Sequence, residues 1–320
     1  MSAATQISAA QAQTALRAQQ TSARRFSVLM AALAVTLTAF DLVVARLAHV
    51  GTKDYFLGPL YSLVLLAFAL WYCRSRPLPR LVDACESGIW IVVFTNVLSV
   101  LIQLAARSPY PLVDQELARL DARMHFATAS AVAIAARMPA LRISLTLSYA
   151  MSGPLMIVAV LLPAMCGHIN ASRRYMLGIV LAGILTASAF AIWPAAGPWT
   201  TEGYAPAKEQ AVVTAYLERL KMPGPVTLDM EDAGIVAFPS FHVLLAILTA
   251  VALSAIRWLR APAWAMAVLV GLSTLTTGWH YLVDVIGGIV LAIVSVGAAK
   301  LLLPAGDGAS ARDLNRATQE

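Results

Sequence analysis

Two histidines stand at the heads of two long apolar runs. His242 closes Phe238-Pro239-Ser240-Phe241-His242, just before the apolar stretch 243–256, and His280 opens His280-Tyr281-Leu282-Val283-Asp284, at the head of a run that reaches Leu303. Imidazole beside hydrocarbon is costly unless it is paired or faces water, so a histidine there reads first as functional. His280 and Asp284 stand at i and i+4 and share a helical face. A carboxylate on one ring nitrogen fixes the tautomer, stabilises the imidazolium and leaves the other nitrogen a better nucleophile or base. The plain alternative is a polar pair that locks two helices together. Pro239 and Ser240 open a helix well, because Ser caps and the first turn presents free N–H groups and the positive end of the dipole. Such a terminus binds phosphate oxygens without further help, and Ser240 and Phe241 are the residues that stand at it. His242, in that turn, is placed to protonate a leaving oxygen. The plain alternative there is a capped helix whose histidine reaches the interface.

The two histidines are 38 residues apart, enough for one helix out, a turn and one helix back. That path returns both to one face of a bundle. One imidazole would attack phosphorus and the other would protonate the leaving group, with N–H donors and cations holding the equatorial oxygens. No carboxylate cluster suited to a magnesium pair is apparent, so a metal-free route without cofactor is expected. Arg142 is the first candidate for the cation, with Lys208, Arg219 and Lys221 behind it.

The elements that carry these residues are membrane helices. Of the 320 residues 59% are hydrophobic and only 12% charged, with a mean hydropathy of +0.73. A soluble domain would carry about twice that charged fraction. The expected fold is an all-α polytopic bundle of about eight spans, at 26–45, 56–73, 87–106, 143–166, 175–193, 238–256, 262–279 and 281–303. Each approaches the ~20 residues that cross a ~30 Å hydrocarbon core. The stretch 125–136 is too short to cross, and with 112–123 it reads as an interfacial helix pair. The net charge of +6 comes with no basic stripe interleaved with aromatics, so the expected partner is the bilayer and not nucleic acid. Residues 1–25 read as a cytoplasmic tail, mobile or loosely helical; 26–106 read as N-terminal membrane helices, 107–303 as a catalytic membrane domain and 304–320 as a second cytoplasmic tail.

Orientation follows from the short loops. With the N-terminus inside, the inner segments collect Arg24, Arg25, Arg74, Arg76, Arg80, Arg173, Arg174, Arg257, Arg260 and Lys300. The long outer loops, 107–142 and 194–237, carry little weight in the charge rule. Both termini are then cytoplasmic and both histidines face outward, periplasmic if the membrane is a bacterial inner membrane. Cys73, Cys85 and Cys166 fall near the reducing side, and none has metal-ligand spacing.

In these motifs the chain resembles the type-2 phosphatidic acid phosphatase superfamily, whose members share Pro-Ser-x-His and a later His-x-x-x-Asp. It is most similar to the branch containing inositol phosphorylceramide synthases. Phe238-Pro239-Ser240-Phe241-His242 resembles that branch's Phe-Pro-Ser-Leu-His. His280-Tyr281-x-x-Asp284-x-x-Gly287-Gly288 resembles its His-Tyr-Phe-Val-Asp-x-x-Gly-Gly. The turn Pro194–Trp199 and the paired-Asp segment Asp114–Asp121 fit as well, over about 110–300. The resemblance implies a six-helix core, a phosphohistidine at His280 oriented by Asp284, and His242 as general acid. It implies a phospholipid, sphingolipid or polyprenyl phosphate as substrate and water or an alcohol as acceptor. One departure stands out: where the phosphatases carry Ser-Arg before the second histidine, this chain has Ser273-Thr274, and the Lys-x6-Arg-Pro motif is absent.

Two other classes remain open on the sequence. A lipid-phosphate flippase or transporter would show paired broken helices or inverted repeats, and no internal repeat is legible. A catalytically inactive phospholipid-binding member is favoured by the missing Arg and opposed by the complete His–His–Asp set. The acidic residues Asp229, Glu231 and Asp232 read as a solvated loop, and Trp193, Trp199 and Trp279 as an outer interfacial belt.

Overall fold

The computed structural model describes residues 3–52, 60–76, 79–228 and 234–304. Asp229, Glu231 and Asp232 lie outside the described residues, as do the first residues of the second expected span and the C-terminal tail. The chain is an all-α bundle with twelve α-helices among the described residues: α1 (Ala3–Leu47), α2 (Leu60–Arg74), α3 (Pro79–Ala106), α4 (Asp114–Arg123), α5 (Thr128–Ala136), α6 (Pro139–Ala150), α7 (Ser152–Met165), α8 (Ile169–Ile192), α9 (Lys208–Lys221), α10 (Phe241–Leu253), α11 (Arg260–Thr276) and α12 (Leu282–Leu302).

Among the described residues five helices are long and apolar enough to cross a membrane, Ala23–Leu47, Arg80–Ala106, Ile169–Ile192, Arg257–Thr276 and Leu282–Leu302, or six if the bent pair Thr128–Ala136 and Pro139–Ala150 is one span. The other three expected runs form α2, α7 and α10, apolar helices of 15, 14 and 13 residues. The chain is an integral, multi-pass membrane protein. The stretches 112–123 and 125–136 form two short helices, α4 and α5.

One expectation changes. The run 143–166 is not one helix: α6 ends at Ala150 and α7 begins at Ser152. Pro154 is the cause in the sequence, because its ring lacks an N–H and crowds the carbonyl four residues back, that of Ala150. A second break makes α5 and α6 meet at 119°. Helix α1, which carries the first span, already starts at Ala3, within the expected tail 1–25. Its Ala and Gln residues are good helix formers, so nothing local ends the helix before the span.

The core lies where α10 packs among α7, α8, α11 and α12. Leu244 and Leu248 of α10 meet Tyr175, Met176 and Val180 of α8, with Phe94 and Leu98 of α3 behind them. Small residues set the spacing: a Cβ on Gly183 would sit 2.6 Å from Leu98, so α3 and α8 approach as glycine permits. A two-residue parallel pairing, β1 (Val50–Gly51) with β2 (Val226–Thr227), ties the end of α1 to the segment before α10. Chain direction then sorts the ends. The N-termini of α10 and α12 and the C-termini of α1, α3, α8 and α11 share one end, and the histidines are there.

Candidate active site

The turn that carries His280 is built from backbone outward. After α11, Gly278 takes φ +76°, and the N–H groups of Trp279 and His280 return to the Thr274 carbonyl oxygen at 3.1 and 3.2 Å. The Tyr281 N–H donates to Asp284 Oδ2 at 2.8 Å, which caps α12 from within. Asp121, far off on α4, accepts the N–H groups of Leu282 and Val283 at 2.7 and 2.9 Å. The first donors of α12 are therefore consumed by two carboxylates. Asp114, seven residues before Asp121 and on the same face of α4, accepts the N–H groups of Ala196 and Gly197, the latter at 2.8 Å. Burial pushes both aspartates above the ordinary carboxylate range, against the pull of these N–H groups.

The N-terminus of α10 is different. Ser240 is its cap residue but makes no side-chain cap bond, and its buried hydroxyl has no partner among the described residues. The first N–H groups of an α-helix have no intrahelical acceptor, so this end keeps its donors. The segment before it is fastened to α12: the Ser240 N–H donates to the Asp284 carbonyl oxygen at 3.0 Å. Gly287 and Gly288 make that contact. A Cβ on Gly288 would lie 2.5 Å from the Ser240 carbonyl oxygen, and one on Gly287 would lie 3.1 Å from Phe238 and Pro239. The glycine pair thus seats one motif on the other.

The fastening brings the imidazoles together. The rings of His242 and His280 lie 6.0 Å apart between centroids, tilted by 59°. His280 is 2% exposed. Its Nδ1 lies 2.8 Å from the Ala237 carbonyl oxygen and 3.4 Å from Asp284 Oδ2. Both neighbours are acceptors, so Nδ1 carries the proton and Nε2 keeps its lone pair. Burial brings the His280 pKa down to about 4, with the Ala237 carbonyl pulling the other way.

His242 has a partner that sequence reasoning missed. Tyr149 of α6 stacks on its ring, centroids 4.1 Å apart at 26°, with the hydroxyl 3.3 Å from Nδ1. Trp279 continues the stack beyond Tyr149 at 6.3 Å and meets Trp199 edge-on. The only signal available in sequence was one aromatic inside the expected span 143–166, too common to single out.

The candidate cations are dispersed. Arg142 is exposed on α6, on the same helical face as Thr146 and Tyr149, and lines an open cavity of about 470 Å³ with Pro139 and Thr146. It lies about 10 Å along the helix axis from Tyr149. Lys221 donates to the carbonyl oxygens of Ser108 and Tyr110, Arg219 lies over the Tyr216 ring, and Lys208 is exposed at the start of α9. Thr274, where the phosphatases carry Arg, is fully buried and bonds the Gly271 carbonyl oxygen. The segment 204–210 is fastened to the His280 turn. Tyr204 and Gln210 both donate to the Gly278 carbonyl oxygen, at 2.8 and 3.0 Å. Among the described residues no group of three or more His, Cys, Asp or Glu is placed to hold a metal ion.

No curated protein and no solved structure matches the chain. A family model described as the PAP2 superfamily matches residues 115–298, more than half of the chain and the part that contains both histidines, Asp284 and Asp121 of α4. Members of this family are phosphatases and phosphotransferases, which fits two imidazoles facing one gap. The chain belongs to the PAP2 superfamily.

Proposed function

We propose that the protein transfers a phosphoryl or phospho-alcohol group from a lipid through a phosphohistidine on His280, at the non-cytosolic face. The carrying observation is the pair of imidazoles 6.0 Å apart, with the Nδ1 of His280 facing two acceptors. The free Nε2 attacks phosphorus. A phosphate held at near-attack distance, about 3–3.5 Å, from one ring puts its leaving oxygen within reach of the other. His242 protonates that oxygen, and the open N-terminus of α10, with Ser240 and the N–H groups of Phe241 and His242, holds the equatorial oxygens. Ala237 and Asp284 keep His280 in its tautomer and stabilise the imidazolium side of the adduct. Arg142, at the rim, reaches the head group from farther out.

A lipid substrate is supported by what lies beneath. An apolar cleft of about 180 Å³ runs between α7, α10 and α11, lined by Ala246, Thr249 and Leu253. These residues continue the His242 face of α10 at i+4, i+7 and i+11, so a hydrocarbon chain can descend directly below the phosphate. The outward face is supported by charge. Arg74, Arg80, Arg173, Arg174, Arg260 and Lys300 all sit at helix ends away from the histidines, as the positive-inside rule requires. Thr274 in place of Arg favours the transferase branch with an alcohol acceptor, inositolphosphotransferase-like, over a simple phosphatase.

The test is turnover. Purified protein is given labelled phosphatidate or polyprenyl phosphate, with and without alcohol acceptors such as diacylglycerol or inositol. Transfer to an alcohol is expected; H280A should abolish it and H242A should slow it about 10²–10⁴-fold while the protein stays folded. Full rates in both variants would refute the mechanism. Uptake of lipid across vesicles without bond cleavage would favour a flippase instead.

A further inference from the structure

A second cavity, of about 290 Å³, lies at the end of the bundle opposite the histidines, between α8, α10, α11 and α12. Its position follows from α10, which leaves His242 at one end and reaches Leu253 about 16 Å away along its axis. Three cations line the cavity, one from each of three helices: Arg174 of α8, Arg260 at the head of α11 and Lys300 in the last turn of α12. No carboxylate lines it. Among the described residues none of the three makes an ion pair.

The contrast with the neighbouring residue is informative. Arg173 is buried, pairs with Asp83 at 3.5 Å and lies over the Phe26 ring. Arg173 at this end is thus neutralised, and these three have no carboxylate partner among the described residues. Arg174 is anchored through Nε, which donates to the Leu303 carbonyl oxygen at 2.8 Å. That bond fixes the guanidinium and leaves its Nη donors without a partner among the described residues. The rest of the wall is mostly apolar, with Leu248, Val251 and Val296 beside the hydroxyl-bearing Tyr175 and Ser254.

We propose that this cavity binds an anionic phospholipid, as a site separate from the histidines and independent of their chemistry. The phosphate meets Arg174, Arg260 and Lys300, and an acyl chain lies against Leu248, Val251 and Val296. Charge decides the class of ligand. A zwitterionic lipid would bring an ammonium group among three cations, whereas an anionic head carries only the complementary sign. Arginine suits the role because its planar fork takes two phosphate oxygens at once. Charges that only set orientation need no cavity, and here they surround one.

The experiment is native mass spectrometry of the full chain in neutral detergent, offered phosphatidylglycerol and phosphatidylcholine of the same chain length. One phosphatidylglycerol should be retained with a preference of about tenfold or more, three basic side chains being involved. The preference should survive H280Q, which separates this site from the histidine site. It should fall to near parity in R174Q/R260Q/K300Q and in A255L, which fills the cavity and leaves its charge intact. The single variants R260Q and K300Q, at exposed positions, should lower it stepwise and guard against misfolding of the triple variant. Equal retention of the two lipids by the unaltered protein, or a preference kept in the triple variant or in A255L, would overturn the proposal.

Discussion

Tyr149 lies flat on His242, ring centroids 4.1 Å apart, with its hydroxyl 3.3 Å from Nδ1. The contact does for one histidine what Ala237 and Asp284 do for the other: it fixes the ring and engages Nδ1, so that Nε2 is the nitrogen left for chemistry. Y149F keeps the stack and loses the hydroxyl. It should slow turnover about tenfold, and H242A about 10²–10⁴-fold, the usual worth of a general acid. The loss in Y149F should be larger for an alkyl phosphate than for p-nitrophenyl phosphate, whose leaving group needs no proton. An equal loss on both substrates would reduce Tyr149 to a packing residue.

The glycine pair of α12 is the second test. G288A would drive a methyl group into the Ser240 carbonyl oxygen, 2.5 Å from the new Cβ, and so separate the two motifs. Turnover should fall at least a hundredfold. Gly297, on the same helix, has nothing within 4 Å of a built Cβ, so G297A should leave turnover unchanged. Comparable losses in the two variants would mean that helix propensity, and not the seating of the loop, is what matters.

Much of this site was legible in the sequence, and the missing parts share a cause. The apolar runs marked the helices because hydrocarbon length is a one-dimensional property. The motifs placed His242, His280 and Asp284 at helix mouths for the same reason. Tyr149 was not legible, since it reaches His242 from 93 residues away, from the far side of the break at Ala150–Ser152. Nor was the Ala237 carbonyl, because a backbone acceptor leaves no trace in side-chain identity. The spacing of Asp114 and Asp121 hinted at a shared face, but not that both would cap backbone belonging to other elements. The break at Ala150–Ser152 was written in Pro154 and hidden by the continuous hydropathy around it.

Asp121 ties α4 to the head of α12 through two N–H groups while 1% exposed. D121N replaces one acceptor with a donor and faces it with an N–H group. The expected cost is about 1–3 kcal/mol of stability, the penalty for a buried donor left unpaired. Thermal unfolding in detergent measures it, and an unchanged midpoint would show that the α4–α12 contact contributes nothing.

The pH dependence follows from burial of His280. Its pKa falls from the ordinary 6.5 to about 4. Between those values the unfolded chain takes up a proton that the native site refuses. The stability contributed by neutral His280 is therefore complete above pH 6.5 and is lost as pH falls toward 4. The nucleophile itself stays unprotonated through neutral pH. Phosphoenzyme formation from p-nitrophenyl phosphate should thus be flat from about pH 8 to 6 as far as His280 is concerned. A decline with an apparent pKa near 6.5 would contradict a buried, neutral imidazole.

The cleft below His242 predicts how the enzyme separates lipids from soluble esters. A246L narrows it one turn below the histidine, where Ala246 is almost fully buried. Turnover of a long-chain lipid phosphate should fall about tenfold or more, because the chain loses its place, while p-nitrophenyl phosphate is hydrolysed at an unchanged rate. Parallel losses would remove the cleft from substrate binding.

The most direct measurement is the site of covalent phosphorylation. The enzyme is quenched during turnover of a labelled lipid phosphate, digested at neutral or alkaline pH and read by mass spectrometry. One phosphoryl or phospho-alcohol group should appear on the peptide carrying His280, disappear on acid treatment and be absent from H280Q. Label on another residue, or continued turnover by H280Q with no adduct at all, would contradict nucleophilic attack by His280.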